Sequence, residues 1–328
     1  MSDRTARRRR RGGSDGAPVV PDAEFVSYYG RPVVKASPWE KHIPAYLFLG
    51  GLAAGSSMLA AGADVTDRPT LRRSGRLGAL VSISLSFAAL VHDLGKPSRF
   101  VNMLRVAKPT SPMSIGTWIL SLYGPAVGLA GAAELPFLPR FVRRMLRPFA
   151  RPAGIAAALA APAVASYTAV LLADTATPAW NSARRELPFV FVGSAASAAG
   201  GLGMIGASYA DAGPARRLAF AGLVGEALAE QSMESSMGLT AETLQTGTAG
   251  RIERAGKICT GVGGIGALLA ELFGRRNPRR GRVFSFVAGL GLLGGSACTR
   301  FAIFEAGQAS ARDPKYTVVP QRERLSRR

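Results

Sequence analysis

The stretch His92–Trp118, HDLGKPSRFVNMLRVAKPTSPMSIGTW, decides the fold, because it is a polar hinge between two apolar runs of membrane-spanning length. It packs a His-Asp pair, Gly95, the prolines Pro97, Pro109 and Pro112, and the cations Lys96, Arg99, Arg105 and Lys108 into one connection. Proline fixes φ, and Asp and Gly turn the chain, so the segment has a defined shape rather than the slack of a linker.

Outward from this hinge, apolar runs recur at about 43–63, 76–95, 113–134, 153–174, 187–208, 215–233, 255–274 and 282–304. Each is close to the roughly 20 residues that cross hydrocarbon. The pattern predicts an all-α polytopic membrane helix bundle of about eight transmembrane helices. The sixth run is broken by Glu226 and Glu230, and its loss would leave seven spans with the termini on opposite sides. Glycine and alanine dominate the runs, as in GGLAAGSSMLAAG, SAASAAGGLGMIGAS and AGLGLLGGSA. Small residues let helix backbones approach closely in lipid, so the bundle is expected to be tight. These glycines lie within apolar runs and do not follow a strand, which excludes a nucleotide loop.

Residues 1–24 read as a disordered basic tail, 25–304 as the transmembrane helix-bundle domain and 305–328 as an extramembrane C-terminal tail. In the lead-in EFVSYYGRPVVKASPWEKHIP, Trp39 suits a membrane interface. Near the end, YTVV alternates like a short strand that could pair with a partner's sheet edge, with disorder as the competing reading.

The chain has 328 residues, 48% of them hydrophobic, and a net charge of +20. In a soluble protein that charge would suggest nucleic acid. Here the cations fall between apolar runs, where they hold topology and meet anionic membrane lipid, so no nucleic-acid partner is expected. Cys259 and Cys298 are the two cysteines. They are too few for an iron–sulfur cluster, which takes about four thiolates. No metal site or resident cofactor is expected, although His42 and His92, the two histidines, leave a bis-histidine haem conceivable.

With eight spans, one face gathers both tails and the polar motifs, and the other has short or plainly Arg-rich connections. Cations in the short loops favour the plain face inside, and the tails reverse that balance, so orientation stays open.

HDLGKPSRFVNML followed by SPMSIGTW resembles the signature of the NrfD and polysulfide-reductase membrane-subunit family. It looks like the actinobacterial type found near molybdopterin formate dehydrogenases, and the likeness runs from about Asp22 to about Arg324. The resemblance implies a bacterial cytoplasmic membrane subunit of two paired four-helix bundles. It also implies an iron-sulfur ferredoxin-like partner, a molybdopterin catalytic subunit, and electron exchange with the quinone pool in anaerobic respiration. Such a subunit is not expected to be catalytic alone.

A quinone site needs an apolar slot with one or two polar groups at the carbonyls. His42, Tyr46, His92, Asp93 and Tyr167 are the candidates. SYTAVLLADTATPAW, with Tyr167, resembles the family's fourth-span motif, and YLFLGGLAAG places Tyr46 where some relatives carry histidine. Both tyrosines could instead be packing aromatics. Asp93 has a competing structural role, ordering the loop or pairing with Lys96 or Arg99. Lys96, Arg99, Arg105 and Lys108 are the candidates for partner docking. Glu226, Glu230 and Glu234 recur every four residues on one helix stripe, and intramembrane carboxylates mark ion or proton routes. Pairing with Arg300, or a span that ends near Glu230, is the alternative. A transporter and a pure membrane anchor without quinone are the competing functions; a transporter would be expected to show broken helices in two matching halves.

Overall fold

The computed structural model describes residues 31–94 and 96–326, so the basic leader 1–24 and Gly95 lie outside the described residues. No strand occurs among the described residues. The chain enters through α1 (His42–Val65) and turns at Asp67, whose φ of 50° is left-handed. It returns in α2 (Pro69–Asp93), where Pro69 takes the first helical turn, a position at which its missing N–H costs nothing. The hinge forms a short 3-10 turn, Pro97–Arg99, and a one-turn helix α3 (Phe100–Leu104). Ser111 caps α4 (Pro112–Ala132), its hydroxyl accepting from the Ser114 amide. Next come α5 (Arg140–Ala173), α6 (Pro178–Ser182) and α7 (Leu187–Gly206). After them stand α8 (Gly213–Ser236), α9 (Glu242–Gln245) and α10 (Gly247–Gly274). The chain ends in α11 (Pro278–Arg312) and α12 (Lys315–Ser326).

Seven of these helices, α1, α2, α4, α5, α7, α10 and α11, are long and apolar enough to cross a membrane. The protein is an all-α, multi-pass membrane bundle. The sixth expected span, α8, is a continuous helix of 24 residues, the same length as α1, but its glutamates lower its hydropathy below that of the others. At 1.5 Å per residue its length still matches hydrocarbon thickness.

Helices α1, α2, α4 and α5 pack on one another as one group of four, and α7, α8, α10 and α11 as a second. Small residues make both seams. A Cβ on Gly200 would lie 2.6 Å from the Ala215 carbonyl oxygen, so α8 meets α7 backbone to backbone. Between the groups, a Cβ on Gly55 of α1 would lie 2.8 Å from the Ala195 carbonyl oxygen of α7.

Several boundaries differ from the sequence expectation. Helix α2 begins at Pro69, not near residue 76, because Arg72 and Arg76 are absorbed by pairing with Asp64 and Glu134. Helix α5 extends back to Arg140 as an amphipathic, Arg-rich segment, and α11 runs on to Arg312. The YTVV run is helical, in α12, and its backbone is satisfied locally, as by Val318 N–H donating to the Pro314 carbonyl at 2.9 Å.

Candidate functional site

Where α1, α2, α4 and α5 converge at the motif face, Tyr46 and Tyr167 are both buried and their hydroxyls hydrogen-bond to each other. Tyr46 lies one helical turn inside α1, after His42. Tyr167 projects from α5 where α4 offers no side chain: a Cβ on Gly116 would stand 2.5 Å from its ring. The pair walls a cavity of about 110 Å³ whose lining is otherwise mostly apolar, including Trp39, Ile43, Leu90, Met103, Met113 and Leu120, with Thr117 and Asp93 as its other polar residues. On the far side of Tyr167 an open groove of about 750 Å³ runs between α4 and α5 toward Asp174, Arg184 and Arg185.

The five candidates therefore separate. Tyr46, Tyr167 and Asp93 share one cavity, whereas His42 and His92 do not line it. The two imidazoles meet edge to face, ring centres 4.4 Å apart, with His92 exposed. Of the competing structural roles for Asp93, an ion pair with Lys96 or Arg99 does not form; the residue is among those lining the cavity. Lys96, Arg99, Arg105 and Lys108 are all exposed around the hinge.

Trp39 is packed against the second half of the chain. It stacks on Trp180 of α6 at 6.0 Å, and the Trp180 indole N–H donates to the Ile303 carbonyl of α11 at 2.8 Å. Gln308 of α11 donates to the Ser37 and Trp39 carbonyls at 3.0 and 3.2 Å. Sequence reasoning missed Trp180, Gln308, Thr117 and Gly116. The motif TATPAW was visible, but nothing in it announces a partner in the last span.

The second polar centre lies between α8, α10 and α11, where a cavity of about 440 Å³ is lined by Glu226, Glu230, Glu234, Glu253, Lys257 and Thr299. Buried Glu226 accepts from Thr299 at 3.1 Å and Ser197 at 3.3 Å. Lys257 bridges Glu234 and Glu253, at 3.3 Å each. Glu253 and Lys257 also escaped the sequence reading, although their i, i+4 spacing on α10 was a signal. Arg300 does not pair directly with Glu226: it donates to the Phe191 carbonyl at 2.7 Å and stands 3.8 Å over that ring. Among the described residues no group of three or more His, Cys, Asp and Glu is arranged to hold a metal ion.

Two four-helix groups with a buried tyrosine pair at one end define an integral membrane protein. A search of curated proteins returned no match. The chain matches the family model described as Polysulphide reductase, NrfD over residues 33–215, and it belongs to that family. Members are membrane subunits of oxidoreductase complexes and work with iron–sulfur and molybdopterin subunits. The match spans α1 to the start of α8, so both tyrosines, Asp93 and the hinge lie inside it, and Glu226, Glu230, Glu234 and Arg300 lie outside.

Proposed function

We propose that the chain is the quinone-interacting subunit of a molybdopterin and iron–sulfur oxidoreductase in the cell membrane, of the formate-dehydrogenase-associated type. It anchors the complex and passes electrons between an iron–sulfur partner and the quinone pool, with quinone as an exchangeable substrate and no resident cofactor of its own. The observation that carries this reading is the Tyr46–Tyr167 hydroxyl pair on the wall of an apolar cavity. A quinone ring needs this combination, an apolar slot with hydroxyl donors for its carbonyls. The cavity holds about one ring, and the adjoining groove is open enough for an isoprenoid tail to leave toward lipid. Asp93, on the same lining, is the group that would exchange protons with quinone oxygens. The exposed cations of the hinge fit an iron–sulfur partner with an acidic docking face.

Tyr167→Phe tests this by removing one hydroxyl and keeping the ring. The expected outcome is a loss of a few-fold to tenfold in apparent quinone affinity, as for one hydrogen bond of about 0.5–1.5 kcal/mol, while partner activity with a soluble dye is unchanged. Tyr123→Phe is the control, since its hydroxyl accepts from or donates to Ser57 at 2.7 Å outside the cavity. Unchanged quinone kinetics for Tyr167→Phe, Tyr46→Phe and His42→Ala alike would leave only an anchor.

Glu226, Glu230 and Glu234, with Glu253 and Lys257, support a proton route through the second group as a companion reading.

A further inference from the structure

At the plain face, opposite the tyrosine pair, the ends of α1 and α4 and the starts of α2 and α5 enclose a cavity of about 820 Å³. Seven arginines line it, Arg72, Arg76, Arg140, Arg143, Arg144, Arg147 and Arg151, against two carboxylates, Asp64 and Glu134. The carboxylates are already engaged. Arg76, itself 8% exposed, reaches Asp64 at 2.9 Å and Glu134 at 3.0 Å, and Arg72 reaches Glu134 at 3.1 Å and Asp64 at 3.5 Å. Arg151 approaches Asp64 only at 3.9 Å. Among the described residues no carboxylate comes within 4.0 Å of Arg140, Arg143, Arg144 or Arg147. The Nε of Arg143 is moreover buried without a hydrogen-bond partner, which is costly for a cationic donor unless a ligand supplies one.

We propose that this cavity binds the phosphate headgroup of an anionic phospholipid. Guanidinium forks match phosphate oxygens, and a cluster of them beside a span meets the anionic lipid surface. The occupant's second half is specified by the same helix. Phe141, Met145 and Phe149 recur every four residues on the first turns of α5 and are 67%, 70% and 59% exposed. They stand beside the arginine stripe as a seat for acyl chains, which a free phosphate would not need.

The test uses the full chain in mild detergent, stripped of lipid and titrated with phosphatidylglycerol, phosphatidylcholine or inorganic phosphate. Bound lipid is counted by native mass spectrometry, with thermal stability as the second readout. Phosphatidylglycerol is expected to be retained and to raise Tm, and Arg143→Gln with Arg147→Gln to weaken retention by about tenfold to thirtyfold, two surface cations' worth. Arg322→Gln with Arg324→Gln, removing the same charge from α12, is expected to leave retention unchanged. Equal retention of phosphatidylcholine, or wild-type retention by the Arg143/Arg147 variant, would overturn the site. Stabilisation by inorganic phosphate equal to that by phosphatidylglycerol would make it a free-anion site and overturn the lipid assignment. Should the double variant insert poorly, Arg144→Gln, at an exposed position, reads the same retention.

Discussion

Tyr46 and Tyr167 stand 121 residues apart, and their buried hydroxyls share one hydrogen bond, which leaves one O–H free to donate. A tyrosine inside an apolar run is legible as a candidate, because burial of its hydroxyl demands a partner. That the partner is another tyrosine follows only from packing. The histidines are harder to place: His42 begins α1 and His92 is the penultimate residue of α2, so both stand at helix ends beside the cavity without lining it. Gly116 carries the residue-scale prediction. Gly116→Ala puts a methyl 2.5 Å from the Tyr167 ring, and the ring has to shift. Overpacking of this kind costs about 1–3 kcal/mol, and a shift of about 1 Å in a positioned hydroxyl can cost up to a hundredfold. Quinone-linked electron transfer in membranes is expected to fall at least severalfold with dye-linked partner activity intact. Wild-type quinone kinetics in that variant would mean that the Tyr167 ring position is immaterial.

Among the elements, the apolar spans are legible wherever hydrophobic residues bunch, since length and composition alone fix a crossing. What escapes is helix that continues into charge. The Arg72 and Arg76 turns of α2 and the arginine-rich start of α5 look like loop until their partners and the membrane border are known. Helix α8 is the converse case: its glutamates read as an interruption, yet they turn inward onto a lined cavity and the helix persists. The hinge carries the prediction at this scale. Lys96, Arg99, Arg105 and Lys108 are exposed and make no ion pair with a described carboxylate, so reversing Lys96 and Arg105 to glutamate leaves the bundle unchanged. Association with the iron–sulfur partner is expected to weaken about tenfold and to lose much of its salt dependence, measured by co-purification at rising ionic strength. Intact co-purification with unchanged salt dependence would move docking off the hinge.

For the molecule as a whole, the bond from Gln308 to Ser37 and Trp39 holds the lead-in and the end of α11 at one face. Accessibility labels placed near residue 35 and in α12 are therefore expected on the same side of the membrane; opposite sides would mean that α8 does not cross. Counting spans places the two ends on one face only if α8 crosses, whereas the contact between the lead-in and α11 joins residues 271 and 269 positions apart and left no local trace. The same contact sets an order of assembly. The chain is made from its N-terminus, so the tyrosine-bearing group of four can insert while α11 is still unsynthesised. At that stage Trp39, one of the residues lining the cavity, has neither the Gln308 bond nor Trp180 held by Ile303. A lining residue in the first half is thus fastened by the last span to arrive, and an incomplete chain would reach the membrane with Trp39 unheld.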